Sequence, residues 1–147
     1  MEFTDSFSNK NLPIGNNDID DDHTKLIEII NDLNDLIQTR GTREDFARIL
    51  SLMTDYSLTH FRQEELYMQE FDYPKLNVHK KSHLEYIYKV SNYNLDLAKK
   101  NPPEPQEIVD FLRTWWQNHI LMLDAAYEKY RKQANIEATY RKISRLK

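Results

Sequence analysis

His60 and Glu64 stand four residues apart, and so do His79 and His83. His119 is followed five residues later by Asp124, and His23 closes the acidic run IDDDH at 19–23. These are all five histidines of the chain, two of them paired with a carboxylate. Residues i and i+4 are neighbours on a helix surface, so each four-residue pair can chelate one centre. Five residues turn an ideal α-helix about 140° past a full turn, which separates His119 from Asp124. A widened π-type turn near 119–124 would bring them together. A single histidine on an apolar face is usually a core residue with a satisfied hydrogen bond. Five of them on inward faces do not fit that reading, because each buried imidazole needs polar partners.

The set His23, His60, Glu64, His79, His83, His119 and Asp124 is too large for one tetrahedral zinc. It is too rich in nitrogen for calcium or magnesium. Two transition-metal ions bridged by the carboxylates fit the count. Imidazole with carboxylate suits iron, and zinc and manganese are also compatible with these donors. If each iron takes about six ligands, bridges give it three, and five histidines then divide three and two. One iron is saturated and the other keeps one position for a small ligand such as dioxygen.

The rest of the chain must position these residues. It has 147 residues, enough for one domain with a true core. Only two glycines and five prolines argue against an all-β fold, and 30% charged residues suit helices with solvated outer faces. The net charge of -4 is unlike that of a general nucleic-acid binder. The absence of cysteine excludes disulfides, thiolate metal sites and a cysteine nucleophile. No apolar run spans a bilayer, and MEFTDSFSNK does not read as a signal peptide, so a cytoplasmic protein with no membrane partner is expected.

Helical periodicity predicts four helices after an N-terminal arm of about 18 residues. The first starts near Asp20–Asp22, carries His23, Ile27, Ile30 and Ile37, and stops at Gly41. Thr42 caps the second, which aligns Phe46, Ile49, Met53, Tyr56, His60 and Glu64. The third begins near Pro74 and aligns Leu76, His79, His83, Tyr86, Val90 and Leu97. NPPEP breaks the chain, and a fourth helix follows with Ile108, Leu112, Trp115, His119, Met122 and Ala126 in register. The expected fold is all-α: an antiparallel up-down-up-down four-helix bundle over about 19–131, with a basic helical tail at 132–147. That tail is the one segment that reads as an interaction element for a protein partner.

The motifs IDDDH, YSLTHFRQEELYM at 56–68, YPKLNVHKKSH at 73–83 and WWQNHILMLDAAY at 115–127 resemble those of hemerythrins, specifically the single-domain bacterial hemerythrins. The resemblance runs from about Ile14 to Tyr130. It implies that His79, His83 and His119 hold the saturated iron, His23 and His60 the other, and that Glu64 and Asp124 bridge. It implies reversible dioxygen binding at an oxo- or hydroxo-bridged pair, with no external base, in a protein that is not an enzyme. A di-iron enzyme or sensor handling peroxide or nitric oxide is the alternative. The family usually has leucine three residues before the fourth-helix histidine, lining the dioxygen pocket; here Trp116 takes that place. Glu65 is expected in a surface or capping role, Asp20 and Asp22 at the helix start, and Tyr56, Tyr86, Tyr127, Phe61, Met68 and Leu26 in core packing.

Overall fold

The computed structural model describes residues 14–145, so the expected arm at 1–18 lies mostly outside the described residues. α1 is Asn17–Gln38, α2 Arg43–Glu70, α3 Leu76–Asp96 and α4 Pro105–Asn118. A π-helical turn, His119–Asp124, joins α4 without a break to α5, Ala125–Arg145. The bundle is antiparallel. α1 packs on α2 and α4, and α2 on α3. The Tyr86 and Trp115 rings, 4.4 Å apart, close the ring of helices between α3 and α4.

α1 begins earlier than the acidic run suggests. Asn16 caps it by accepting from the Ile19 N–H at 3.1 Å. Asp20 accepts from the Ile14 N–H at 2.8 Å, fastening the incoming strand of chain to the helix. Gly41 does not supply the left-handed residue after α1; Arg40 does, with φ 57°. Glycine at 41 leaves room for Leu36, because a Cβ there would stand 2.6 Å from a Leu36 methyl and make that side chain shift. Thr42 caps α2 as expected, accepting from the Asp45 N–H at 3.1 Å. α3 starts at Leu76, two residues after Pro74, which sits in the preceding turn.

The bundle has two unlike ends. Where α1 ends and α2 begins the interior is apolar: Leu33, Phe46, Leu50 and Ile108 are almost fully buried. Each such side chain contributes roughly 1.5–3 kcal/mol by leaving water. Where α1 begins, α2 ends and α3 begins, the interior is polar. The fourth helix departs from the expected register there. Met122 is 70% exposed and Ala126 also faces out, whereas Trp116, Ile120 and Tyr127 are fully buried. The expected register runs one unbroken α-helical stripe through 119–124, where the π turn accommodates an extra residue and shifts the inner face. Beyond the bundle, α5 continues to Arg145 with Ile136, Tyr140 and Ile143 exposed. No helix among the described residues is long and apolar enough to cross a membrane.

Candidate metal centre

All seven residues singled out by spacing meet at the polar end. α1 supplies His23, α2 His60 and Glu64, α3 His79 and His83, and the π turn begins at His119 and ends at Asp124. Their exposure is 0–3%. They fall into two groups of converging donor atoms: Glu64, His79, His83 and His119, and His23, His60, Glu64 and Asp124.

The two carboxylates divide their oxygens between the groups. Glu64 Oε1 is 3.0 Å from His79 Nε2 and 2.9 Å from His83 Nε2. Glu64 Oε2 is 3.3 Å from His60 Nε2. Asp124 Oδ1 lies 3.0 Å from His79 Nε2 and 3.1 Å from His119 Nε2, while its Oδ2 lies 3.0 Å from His23 Nε2. Three imidazoles therefore face one pair of carboxylate oxygens and two face the other pair. The π turn makes this possible: the Ala125 N–H reaches back to the Ile120 carbonyl, five residues earlier.

The donor set fits metal ions on two counts. His119 Nε2 stands 3.0 Å from His79 Nε2 and 3.1 Å from His83 Nε2. Two imidazole nitrogens bonded at about 2.1 Å to one ion, at right angles, are about 3.0 Å apart. Second, His23 Nε2, His60 Nε2 and both Asp124 oxygens are fully buried and crowd within 3.0–3.3 Å of one another or of Glu64, His79 and His119 without forming a well-aligned hydrogen bond. Buried polar atoms aimed at a common point in this way suit ions placed among them.

Without an ion, the charges hold protons instead. Burial alone would lower His60, but the Glu64 charge and hydrogen bonds to Asp22 and Glu64 push it up to about 10. His79 is likewise lowered by burial and more strongly raised by Asp124 and Glu64, to about 9. Burial raises Glu64 and Asp124, yet the imidazoles around them bring both well below the usual carboxylate range.

A second layer fixes the rings. Asp22 Oδ2 is 3.0 Å from His60 Nδ1, and the Tyr56 hydroxyl donates to Asp22 Oδ1 at 3.0 Å. Glu65 Oε2 is 2.8 Å from His83 Nδ1, and Ser82 Oγ is 3.1 Å from His119 Nδ1. A carboxylate on Nδ1 keeps the proton there and leaves Nε2 free to ligate. The expected surface or capping role of Glu65 is thus corrected: it points away from its own helix's inner face but onto α3. Asp22 does more than begin a helix, and Tyr127 does more than pack, because its hydroxyl donates to Glu64 Oε2 at 3.0 Å. Asp20, Phe61, Met68 and Leu26 keep their expected roles. Ser82 gave no sequence signal beyond lying next to a histidine.

Trp116 is fully buried, with its ring 5.8 Å from His60 and stacked on Phe61 at 5.4 Å and 21°. Phe61 in turn stacks on His83 at 3.9 Å and 11°. The family model described as Hemerythrin HHE cation binding domain matches residues 15–129. The chain belongs to the hemerythrin family. It is 32% identical over 118 residues to a bacteriohemerythrin of Clostridium acetobutylicum, covering 78% of this chain and 92% of that one. It is 35% identical over 120 residues to a bacteriohemerythrin of Stenotrophomonas maltophilia, covering 79% and 74%. Similarity extends to a hemerythrin of Sipunculus nudus, 28% identical over 112 residues, covering 76% and 81%. As a hemerythrin, the chain carries a cation-binding bundle, and its buried histidines and carboxylates suit that role.

Proposed function

We propose that this hemerythrin binds dioxygen reversibly at two bridged iron ions. His79, His83 and His119 hold one iron, His23 and His60 hold the other, and Glu64 and Asp124 bridge them. The observation that supports this most is the division of carboxylate oxygens between a three-histidine and a two-histidine corner. With iron bound, the unequal split would leave the two-histidine corner able to take a small ligand. When bound, the two ferrous ions supply the electrons that dioxygen takes up and returns on release.

The chain's own residues govern what reaches the site. Phe61 and Trp116 wall the His60 side with rings and keep water away. Asp22 and Glu65 hold protons on the outer nitrogens of His60 and His83, so the inner nitrogens stay available. Tyr127 holds Glu64 with one hydrogen bond. Every ligating side chain is nearly or fully buried, which suits a diatomic ligand and leaves no room for a large organic substrate.

Metal analysis combined with the optical spectrum of the reduced protein before and after air tests this. Two irons per chain and a charge-transfer band that disappears on removing oxygen are expected. Fewer irons would end the reading. Irreversible oxidation with consumption of peroxide would favour an enzyme instead.

A further inference from the structure

The indole of Trp115 stacks on the imidazole of His119, with centroids 4.4 Å apart and planes 12° from parallel. Trp115 is half-buried, while the His119 side chain behind it is 1% exposed. The outer side of the indole forms part of the wall of a surface groove of about 600 Å³, with Ser82, Phe111, Thr114, Met122 and Leu123. The indole thus covers one face of a metal-ligating ring, and His119 itself reaches the edge of the same groove. The dioxygen reading gives Trp115 no task.

We propose that Trp115 is the electron port of the centre. It conducts electrons from a one-electron donor in the groove to His119, and so restores the ferrous pair after an oxidant has emptied it. This rests on the di-iron reading. Electron transfer weakens steeply across gaps between atoms in van der Waals separation, and two stacked π systems keep that gap small across their whole faces. In each step the donor loses one electron and one ferric ion becomes ferrous; no bond forms or breaks at the indole. Two steps restore both irons and oxidise two donor equivalents. A reduced flavin is the donor this groove fits: its flat, largely apolar ring system matches the lining and delivers single electrons. Apart from His119 the groove has one ionisable liner, Asp110, so contact there is mainly apolar.

The test uses the full iron-loaded chain, oxidised and kept anaerobic, mixed with reduced flavin mononucleotide. Trp115→Leu is expected to slow reduction by about tenfold or more, with two irons still bound, and Trp115→Phe, which keeps a stacked ring, to recover most of the rate. Thr114→Glu should slow the anionic flavin and Thr114→Lys should speed it, leaving the indole in place. Independently of reduction, indole fluorescence in the resting protein should be quenched on iron loading, and Trp115→Leu should remove a quenched component that Trp116→Leu leaves. Unslowed reduction in Trp115→Leu, with two irons bound, would overturn the port alone. Thr114 variants without opposite effects would do the same where Trp115→Leu fails to load iron. A wild-type chain that does not bind two irons ends both readings.

Discussion

Tyr127, three residues past Asp124, donates a hydrogen bond from its hydroxyl to Glu64 Oε2 at 3.0 Å and so ties α5 to the carboxylate shared by both groups of donors. The phenol is fully buried. Burial, and then the charges of Glu64 and Asp124, push its pKa upward, which keeps the hydroxyl protonated and able to donate. Tyr127→Phe keeps the ring and removes one hydrogen bond. Iron loss to a chelator should quicken by roughly 10–100-fold, the usual cost of removing a partner that orients a ligand. Unchanged release kinetics would mean that Glu64 is held by the imidazoles alone.

The two outer carboxylates serve different corners. Glu65 lies on His83 in the three-histidine group, and Asp22 on His60 in the two-histidine group. Glu65→Leu should therefore weaken metal retention at the first corner and Asp22→Leu at the second, each by about 10–100-fold. Partial metal release followed by Mössbauer spectra should show opposite irons leaving first in the two variants. The same iron leaving in both would remove the assignment.

All seven converging residues are legible in the sequence, most of them because helix geometry is rigid. His60–Glu64 and His79–His83 fall on single faces whatever the surrounding helices do. His119 and Asp124 were legible for the opposite reason: their spacing fits no α-helix, and the π turn resolves it. Past that turn the expected stripe fails at Met122 and Ala126, which face out, because a register carried straight through leaves no place for an extra residue; Tyr127 is inside as expected. Glu65 and Ser82 were misread or missed because each acts on a histidine of another helix or a later turn. Spacing within one helix does not report contacts between helices. Gly41 does mark the end of α1, and the left-handed φ beside it belongs to Arg40.

The metal-free protein should have an unusual pH profile. His60 and His79, ordinarily near 6.5, are pushed up to about 10 and about 9. A raised value in the folded state means their contribution is complete below about pH 6.5 and is lost as pH rises toward 9–10. Glu64 and Asp124 are lowered, so their contribution is present above their ordinary values, about 4.5 and 3.8, and is lost as pH falls. Stability without metal should peak between about pH 4.5 and 6.5. Ions that replace those protons should remove the alkaline decline and steepen the acid one. Urea midpoints measured from pH 4 to 9 on chelated and iron-loaded protein check this; a metal-free midpoint that holds steady from 6.5 to 9 would contradict it.

Trp116 occupies the place where the family resemblance leads one to expect leucine, and its indole lies against both His60 and Phe61. Its Nε1 makes no well-aligned hydrogen bond, although it lies close enough to the Tyr86 hydroxyl to act on it. Trp116→Leu would open space beside the two-histidine corner and cost about 3–5 kcal/mol or less of stability, because leucine leaves a smaller void than alanine. Faster dioxygen association and faster autoxidation are expected, read by stopped-flow absorbance. Identical rates would show that the indole packs without guarding the site.

The π turn can be tested by changing its length. Deleting the half-exposed Leu121 leaves His119 and the aspartate four residues apart, the spacing that already serves His60–Glu64 and His79–His83. A π turn holds one residue more than an α turn, so the deletion can close to regular helix and leave Tyr127 and Glu128 on the inner face. Inserting an alanine at the same point places the aspartate six residues from His119 and rotates it by about 100°. The deletion should retain two irons per chain and the insertion should lose at least one, by metal analysis and the visible spectrum. If the deletion fails and the insertion loads normally, the arc between His119 and Asp124 is not what the turn sets, and the geometric reading of the turn is wrong.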